Sequence, residues 1–249
     1  MSDREHIDDI LQNWPYEPHS LSVRIRPGND GRDLLQMRLD LGLLQLETTG
    51  RPDGTRPFGA DTYLNYLLTL VFHEGEKFVM TEEQCEESDR EFVQYYHRRL
   101  CWLAMREFTH AMTDADHTLK LMDFCREHSP DEDWTLSHEQ YRPFVLFHRT
   151  QAAALSQLEQ GNGAEAAVQE INEGLDKIRA VFVDHEAEEE FGTDELVTRL
   201  TEMRETLRTQ FEVGRTLEER LNDAVATEQY ELAAKLRDEL SQRRGGGAR

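Results

Sequence analysis

The spacing of apolar residues changes sharply near residue 60, and that change limits what the chain can fold into. Before it, apolar positions alternate; after it they recur every three or four residues as far as Leu240. Leu21, Val23 and Ile25 alternate with Ser22, Arg24 and Arg26, a half-buried strand pattern. Pro27-Gly28-Asn29-Asp30-Gly31 is a dense turn signal, and Leu35, Met37, Leu39 and Leu41 then alternate with Gln36, Arg38 and Asp40. The two segments are expected to pair as a β-hairpin. The alternation slips at Gly42-Leu43-Leu44-Gln45-Leu46, where a bulge or a third strand accounts for the glycine. A short helix is expected ahead of the strands, from Arg4 to Gln12.

From Asp61 the pattern predicts helices. Asp61 can cap one that buries Leu64, Leu67, Leu68, Val71 and Phe72. Thr81 and Gln84 form a capping box for a helix through Phe92, Tyr96, Leu100, Leu103 and Phe108, with a restart expected at Thr113-Asp114. The next helix carries Leu119, Met122 and Cys125 and ends before Pro130. Another is expected from Ser137 to Gln160 with Pro143 in its first turns, where proline is tolerated. Gly161-Asn162-Gly163 turns into a partner carrying Ala167, Ile171, Leu175 and Ile178, and a further helix starts near Thr193. At a constant offset, Thr118, Met122 and Cys125 match Ala167, Ile171 and Gly174, and Ala104 matches Ala153. This degenerate repeat resembles tetratricopeptide (TPR) helix pairs, with a plain irregular bundle as the alternative.

The reading is an α+β chain, predominantly α. Residues 1–60 form the β-hairpin element and its loop, 61–212 a TPR-like body, 215–242 a helical hairpin and 243–249 a disordered tail. With 249 residues there is enough chain to bury a real core. The net charge of −22 repels phosphate, and the arginines between Arg24 and Arg56 are interleaved with Asp30, Asp33, Asp40, Glu47 and Asp53, so no direct nucleic-acid contact is expected. The charged start lacks the apolar core of a signal peptide, and no apolar run reaches membrane-spanning length, so the expected setting is the cytoplasm, off the membrane. Cys85, Cys101 and Cys125 are odd in number and read as reduced core thiols.

The most specific pattern lies between Leu217 and Leu240. Leu217, Leu221, Ala224 and Val225 share one helical face; Ala233, Leu236 and Leu240 share another, and Ala233-Ala234 removes bulk where two helices cross. Thr227 is placed to cap the second helix. With its leading leucines, its Ala-Val pair and the run Tyr230-Glu231-Leu232-Ala233-Ala234-Lys235-Leu236-Arg237-Asp238, this stretch resembles the UVR motif. In UvrB, UvrC, McsA-like regulators and some Clp ATPases, that hairpin is associated with protein contacts rather than chemistry. The chain lacks a Walker A sequence and paired CxxC motifs, so only the module carries over. The resemblance implies a non-enzymatic adaptor that binds another protein or a second copy as a homodimer, through Leu217, Leu221, Val225, Tyr230, Leu232, Leu236, Arg237 and Leu240. It also leaves open an accessory role in nucleotide-excision repair.

Other chemistry is weaker. Gly50, Gly54 and Gly59 loosen the loop that carries Arg51 and Arg56, which are candidates for binding an anionic small molecule or peptide. Asp53 competes for them, and a structural turn is the simpler reading. His97 and Cys101 share a helix face but are too few for zinc, and His110 and His117 add no ligand spacing. Glu186–Glu190 reads as a solvated charge run. No catalytic motif occurs, and no cofactor or metal is expected.

Overall fold

The computed structural model of the protein describes residues 6–75, 78–161 and 163–246. The chain divides into two compact units, residues 1–152 and 153–249.

The first unit opens with α1 (Asp8–Asn13); of the helix expected from Arg4 to Gln12, Arg4 and Glu5 lie outside the described residues, and His6 and Ile7 precede the helix. Three strands follow, β1 (Val23–Pro27), β2 (Asp33–Leu39) and β3 (Gly42–Glu47), in an antiparallel meander. The slip at Gly42 is therefore a third strand and not a bulge: Leu39 faces Gly42 across a tight turn, and Leu35 pairs with both Ile25 and Leu46. Residues 34–38 of the central strand are all buried. Their polar members are satisfied. Gln36 accepts from Arg24 Nε at 2.9 Å and donates to Gln45 at 2.9 Å. Arg38 donates to the carbonyls of Trp14 (2.8 Å) and Gly42 (2.7 Å).

Helices α2 (Tyr63–Glu74), α3 (Glu82–Ala104), α4 (Phe108–His128), α5 (Glu132–Glu139) and α6 (Arg142–Glu159) come next. The Thr81–Gln84 capping box forms as read. For α2 the cap is Thr62, one residue on from Asp61: its hydroxyl accepts from Asn65 N–H at 3.1 Å. The break between α3 and α4 falls at residues 105–107 rather than at Thr113-Asp114. Arg106 turns the chain there at φ 62°, and Asp114 sits inside α4, where Arg98 grips its carboxylate at 2.9 and 2.7 Å. The helix expected over Ser137–Gln160 is two, because the chain turns at Gln140-Tyr141; Pro143 then occupies the second position of α6. The main core of this unit joins α2, α3 and α4 through Leu64, Leu67, Phe92, Leu121, Met122 and Phe124, with Val145 from α6.

In the second unit α7 (Ala164–Asp184) buries Ala167, Val168, Ile171, Gly174, Leu175 and Ile178 against α8 (Glu195–Phe211), which offers Val197, Leu200 and Leu207. A 3₁₀ turn over Glu188–Thr193 keeps its glutamates in solvent and inserts Phe191 beside Phe182. The chain ends in α9 (Leu217–Ala226) and α10 (Tyr230–Gly246). The helix continues through residue 246, and residues 247–249 of the expected disordered tail lie outside the described ones. The repeat positions Thr118, Met122, Cys125, Ala167, Ile171, Gly174 and Ala153 are buried, whereas Ala104 is exposed. No helix among the described residues is long and apolar enough to cross a membrane.

Candidate interaction site

α9 starts on a reciprocal capping box. The Thr216 hydroxyl accepts from Glu219 N–H at 3.2 Å, and the Glu219 carboxylate accepts from Thr216 N–H at 2.8 Å. Both residues also reach the neighbouring helices of the same unit. Thr216 Oγ1 donates to Gln169 Oε1 at 3.0 Å, Asn172 Nδ2 donates to Glu219 Oε1 at 3.1 Å, and Arg208 Nη2 forms an ion pair with Glu219. Gln169 Nε2 also donates to Glu218. The base of the hairpin is thus clasped to α7 and α8 by polar groups. Partial burial opposes ionisation of Glu219, but the bonds from Thr216, Arg208 and Asn172 outweigh it and hold the carboxyl below its ordinary range.

The other end of the hairpin is a tight turn. Thr227 does not cap α10: its hydroxyl donates back to Asp223 O at 2.7 Å and closes α9. Glu228 takes φ 57°, and Gln229 N–H donates to Ala224 O at 2.7 Å. Between the helices, Leu217, Ala224, Ala233 and Leu236 are buried together, with Leu221 and Leu240 packed against them. The two alanines allow the helix backbones to approach closely.

This geometry divides the sequence-selected residues into two sets. Leu217, Leu221, Leu236 and Leu240 are spent on the hairpin's own core. Val225, Tyr230 and Leu232 stay outside it, at 53%, 67% and 40% exposure, grouped around the turn, and Arg237 is exposed further along α10. Val225 therefore does not join the inward face expected for it. Ala224 takes the inward place and Val225 falls on the far side of the helix.

Residues 213–242 match the UvrB/uvrC (UVR) motif. The match spans both helices of the hairpin and leaves the rest of the chain outside it. No curated protein and no solved structure matches the chain. The UVR motif is an interaction motif of excision-repair proteins.

The Arg51–Arg56 loop is placed differently from the UVR hairpin. Arg51 is buried and surrounded by acids: Glu87 at 3.0 Å, Glu91 at 3.3 Å and Asp53 at 3.7 Å. Glu91, itself fully buried, also accepts from the N–H groups of Tyr63 (2.6 Å) and Leu64 (3.1 Å) at the start of α2, and lies 2.8 Å from His117 Nε2. Arg51 is thus tied into a network that anchors the loop to α2, α3 and α4. Arg56 is exposed and sits 3.4 Å from Asp61. A hollow of about 480 Å³ lies against the loop, lined by Arg32, Arg51 and Arg56 with Glu47 and Asp61, and each of these arginines is paired with an acid: Arg32 with Glu47, Arg51 with Glu87 and Arg56 with Asp61.

His97 and Cys101 meet no third ligand, and among the described residues no group of three or more His, Cys, Asp or Glu could hold a metal ion. Cys85, Cys101 and Cys125 are free and buried. Desolvation pushes the thiols of Cys85 to about 11 and Cys101 to about 12, and Cys125 also rises.

Two features escaped the sequence. The first is the Thr216–Glu219 capping box, which went unread although its signal is Thr-x-x-Glu before an apolar run. Its partners Gln169, Asn172 and Arg208 were not legible, because nothing local marks a polar side chain for a distant helix terminus. The second feature is Arg99, buried at 1% exposure, which no local pattern in the sequence singles out.

Proposed function

We propose that the chain is a non-enzymatic adaptor that docks a partner protein through the exposed turn end of its UVR hairpin, chiefly Val225, Tyr230 and Leu232. One observation carries the reading: the hairpin fills its own core with Leu217, Leu221, Ala224, Ala233, Leu236 and Leu240, yet keeps three large apolar side chains in water beside the turn. Exposed apolar groups at the turn end of a small helical hairpin, with its base clasped to α7 and α8, suit a docking tip. Arg237 adds a positive charge on the same helix for an acidic partner.

The motif match favours a protein of the excision-repair machinery as the first partner to test. The chain's own charge of −22 argues that any association with repair complexes runs through protein and not DNA. The test is affinity capture of endogenous partners on the full chain and on a Tyr230→Glu/Leu232→Glu variant, with light scattering of both to detect self-association. The reading expects the variant to lose the partner, or the dimer, while keeping its helical circular dichroism. Retention of every partner and of the same mass by the folded variant would overturn it.

A further inference from the structure

An apolar groove of the first unit, lined by none of the hairpin's residues, lies between α3, α4, α5 and the start of α6. It encloses about 840 Å³, within the range of small-molecule sites. Its walls are aromatic: Phe92 and Tyr96 from α3 face Tyr141 and Phe144, with the Tyr96 and Phe144 rings 6.3 Å apart. Val93 and Tyr141 stand at the mouth, more than half exposed.

Arg99 belongs to the same groove and is 1% exposed, so it marks the deep end. Its hydrogen bonds go to uncharged acceptors: Nε donates to His148 Nδ1 at 3.3 Å, and Nη1 donates to Thr118 Oγ1 at 3.0 Å. The acid that acts on it, Asp114, is already held in two bonds by Arg98. Asp89, also on the groove wall, is engaged by the Trp134 indole at 3.0 Å and by His138 at 2.8 Å. Arg99 thus keeps a positive charge in an apolar setting without a carboxylate of its own. That is unfavourable unless a counter-charge completes it. Burial accordingly draws the guanidinium down to about 10, against the pull of Asp114.

We infer that this groove binds a small apolar monocarboxylate, whose acid group meets Arg99 while its hydrocarbon or aromatic body lies between Phe92, Tyr96, Tyr141 and Phe144. The chemistry is complementary at both ends. Guanidinium and carboxylate match in charge and in planar hydrogen-bond geometry. The aromatic walls take up the apolar body and exclude water from the pair.

The test is isothermal titration of the full chain with sodium decanoate and, separately, with 1-decanol, which keeps the apolar body and removes the charge. The expected result is one decanoate per chain with a Kd below about 1 mM, and decanol weaker by about tenfold or more. Val93→Glu puts a like charge at an exposed mouth position without touching the core, and is expected to weaken decanoate by about tenfold. Arg99→Met is expected to reduce decanoate to the affinity of decanol. If that variant does not fold, the acid-to-alcohol ratio and Val93→Glu still decide. Absence of decanoate binding at about 1 mM, equal affinity for decanol, or full binding by Val93→Glu would each overturn the inference.

Discussion

The division of the UVR hairpin into an internal core and an exposed tip makes a sharp prediction about Leu236. This side chain is 2% exposed and packs with Leu217, Ala224 and Ala233. Two of those neighbours are already alanine, so little side-chain mass is available to refill the space a truncation would leave. Leu236→Ala is therefore expected to cost about 2–5 kcal/mol, the range for a buried leucine whose surroundings relax only in part. The hairpin is short, and its base is held mainly by the Thr216–Glu219 clasp, so the loss falls on local opening of α9 and α10. At 1.4 kcal/mol per factor of ten, even about 2 kcal/mol multiplies the open population about thirtyfold. Val225, next to the buried Ala224 but 53% exposed, supplies the control: Val225→Ala is expected to change stability by less than about 0.5 kcal/mol. Amide hydrogen exchange reads both. Protection over residues 217–240 should collapse in Leu236→Ala and persist in Val225→Ala, with α7 and α8 protected in both. Unchanged protection in Leu236→Ala, or equal losses in the two variants, would refute the packing argument.

Glu219 makes the clasp acid-sensitive. Its carboxyl is held below the ordinary value of 4.5, so its contribution is complete above that pH and is lost as pH falls through the lower folded value; hydrogen exchange of α9 should rise there, and Glu219→Gln should flatten the dependence. Arg98→Met strands the buried Asp114 carboxylate and should cost about 3–5 kcal/mol in urea unfolding, whereas Arg98→Met/Asp114→Leu should cost less than the two single changes summed. The buried, raised thiols of Cys85, Cys101 and Cys125 should resist a thiol reagent at neutral pH until denaturant is added; rapid labelling of the folded chain would contradict their burial.

Much of the fold was legible because local signals coincided with tertiary packing. Alternation located the strands, and the Thr81–Gln84 box located the start of α3. The missed boundaries lack such agreement. Residues 105–107 separate α3 from α4 with no glycine or proline, and Arg106 adopts a left-handed φ that its own chemistry does not favour. What holds that turn is the pairing of the two helices, including the buried Arg98–Asp114 bridge, and such a contact leaves no mark in the local pattern. The split between α5 and α6 is similar: helical spacing runs through Gln140-Tyr141, and Pro143 signals only that a first turn is near.

The site was legible at the level of the module and not of its faces. The UVR hairpin was readable because its pattern is local, but a ten-residue helix with apolar groups at Leu217, Leu221, Ala224 and Val225 satisfies more than one helical phase. Hydrophobicity alone favours Val225 as the inward residue. Close crossing favours Ala224, since a smaller side chain lets the backbones approach, and the structure follows the second rule. The consequence is functional. The larger side chain is left exposed, as are Tyr230 and Leu232, and the proposed docking role draws on these residues that the core does not need. Arg51 and Arg99 show the same logic with charge. The sequence singles out Arg51 as a possible anion contact, with a structural turn as the simpler reading, and does not single out Arg99. Burial beside Glu87 and Glu91 neutralises Arg51, whereas Asp114, the acid that acts on Arg99, is already committed to Arg98. Whether a buried arginine anchors a fold or waits for a ligand is thus decided by which carboxylates remain unclaimed around it, and that depends on helices brought together from distant parts of the chain.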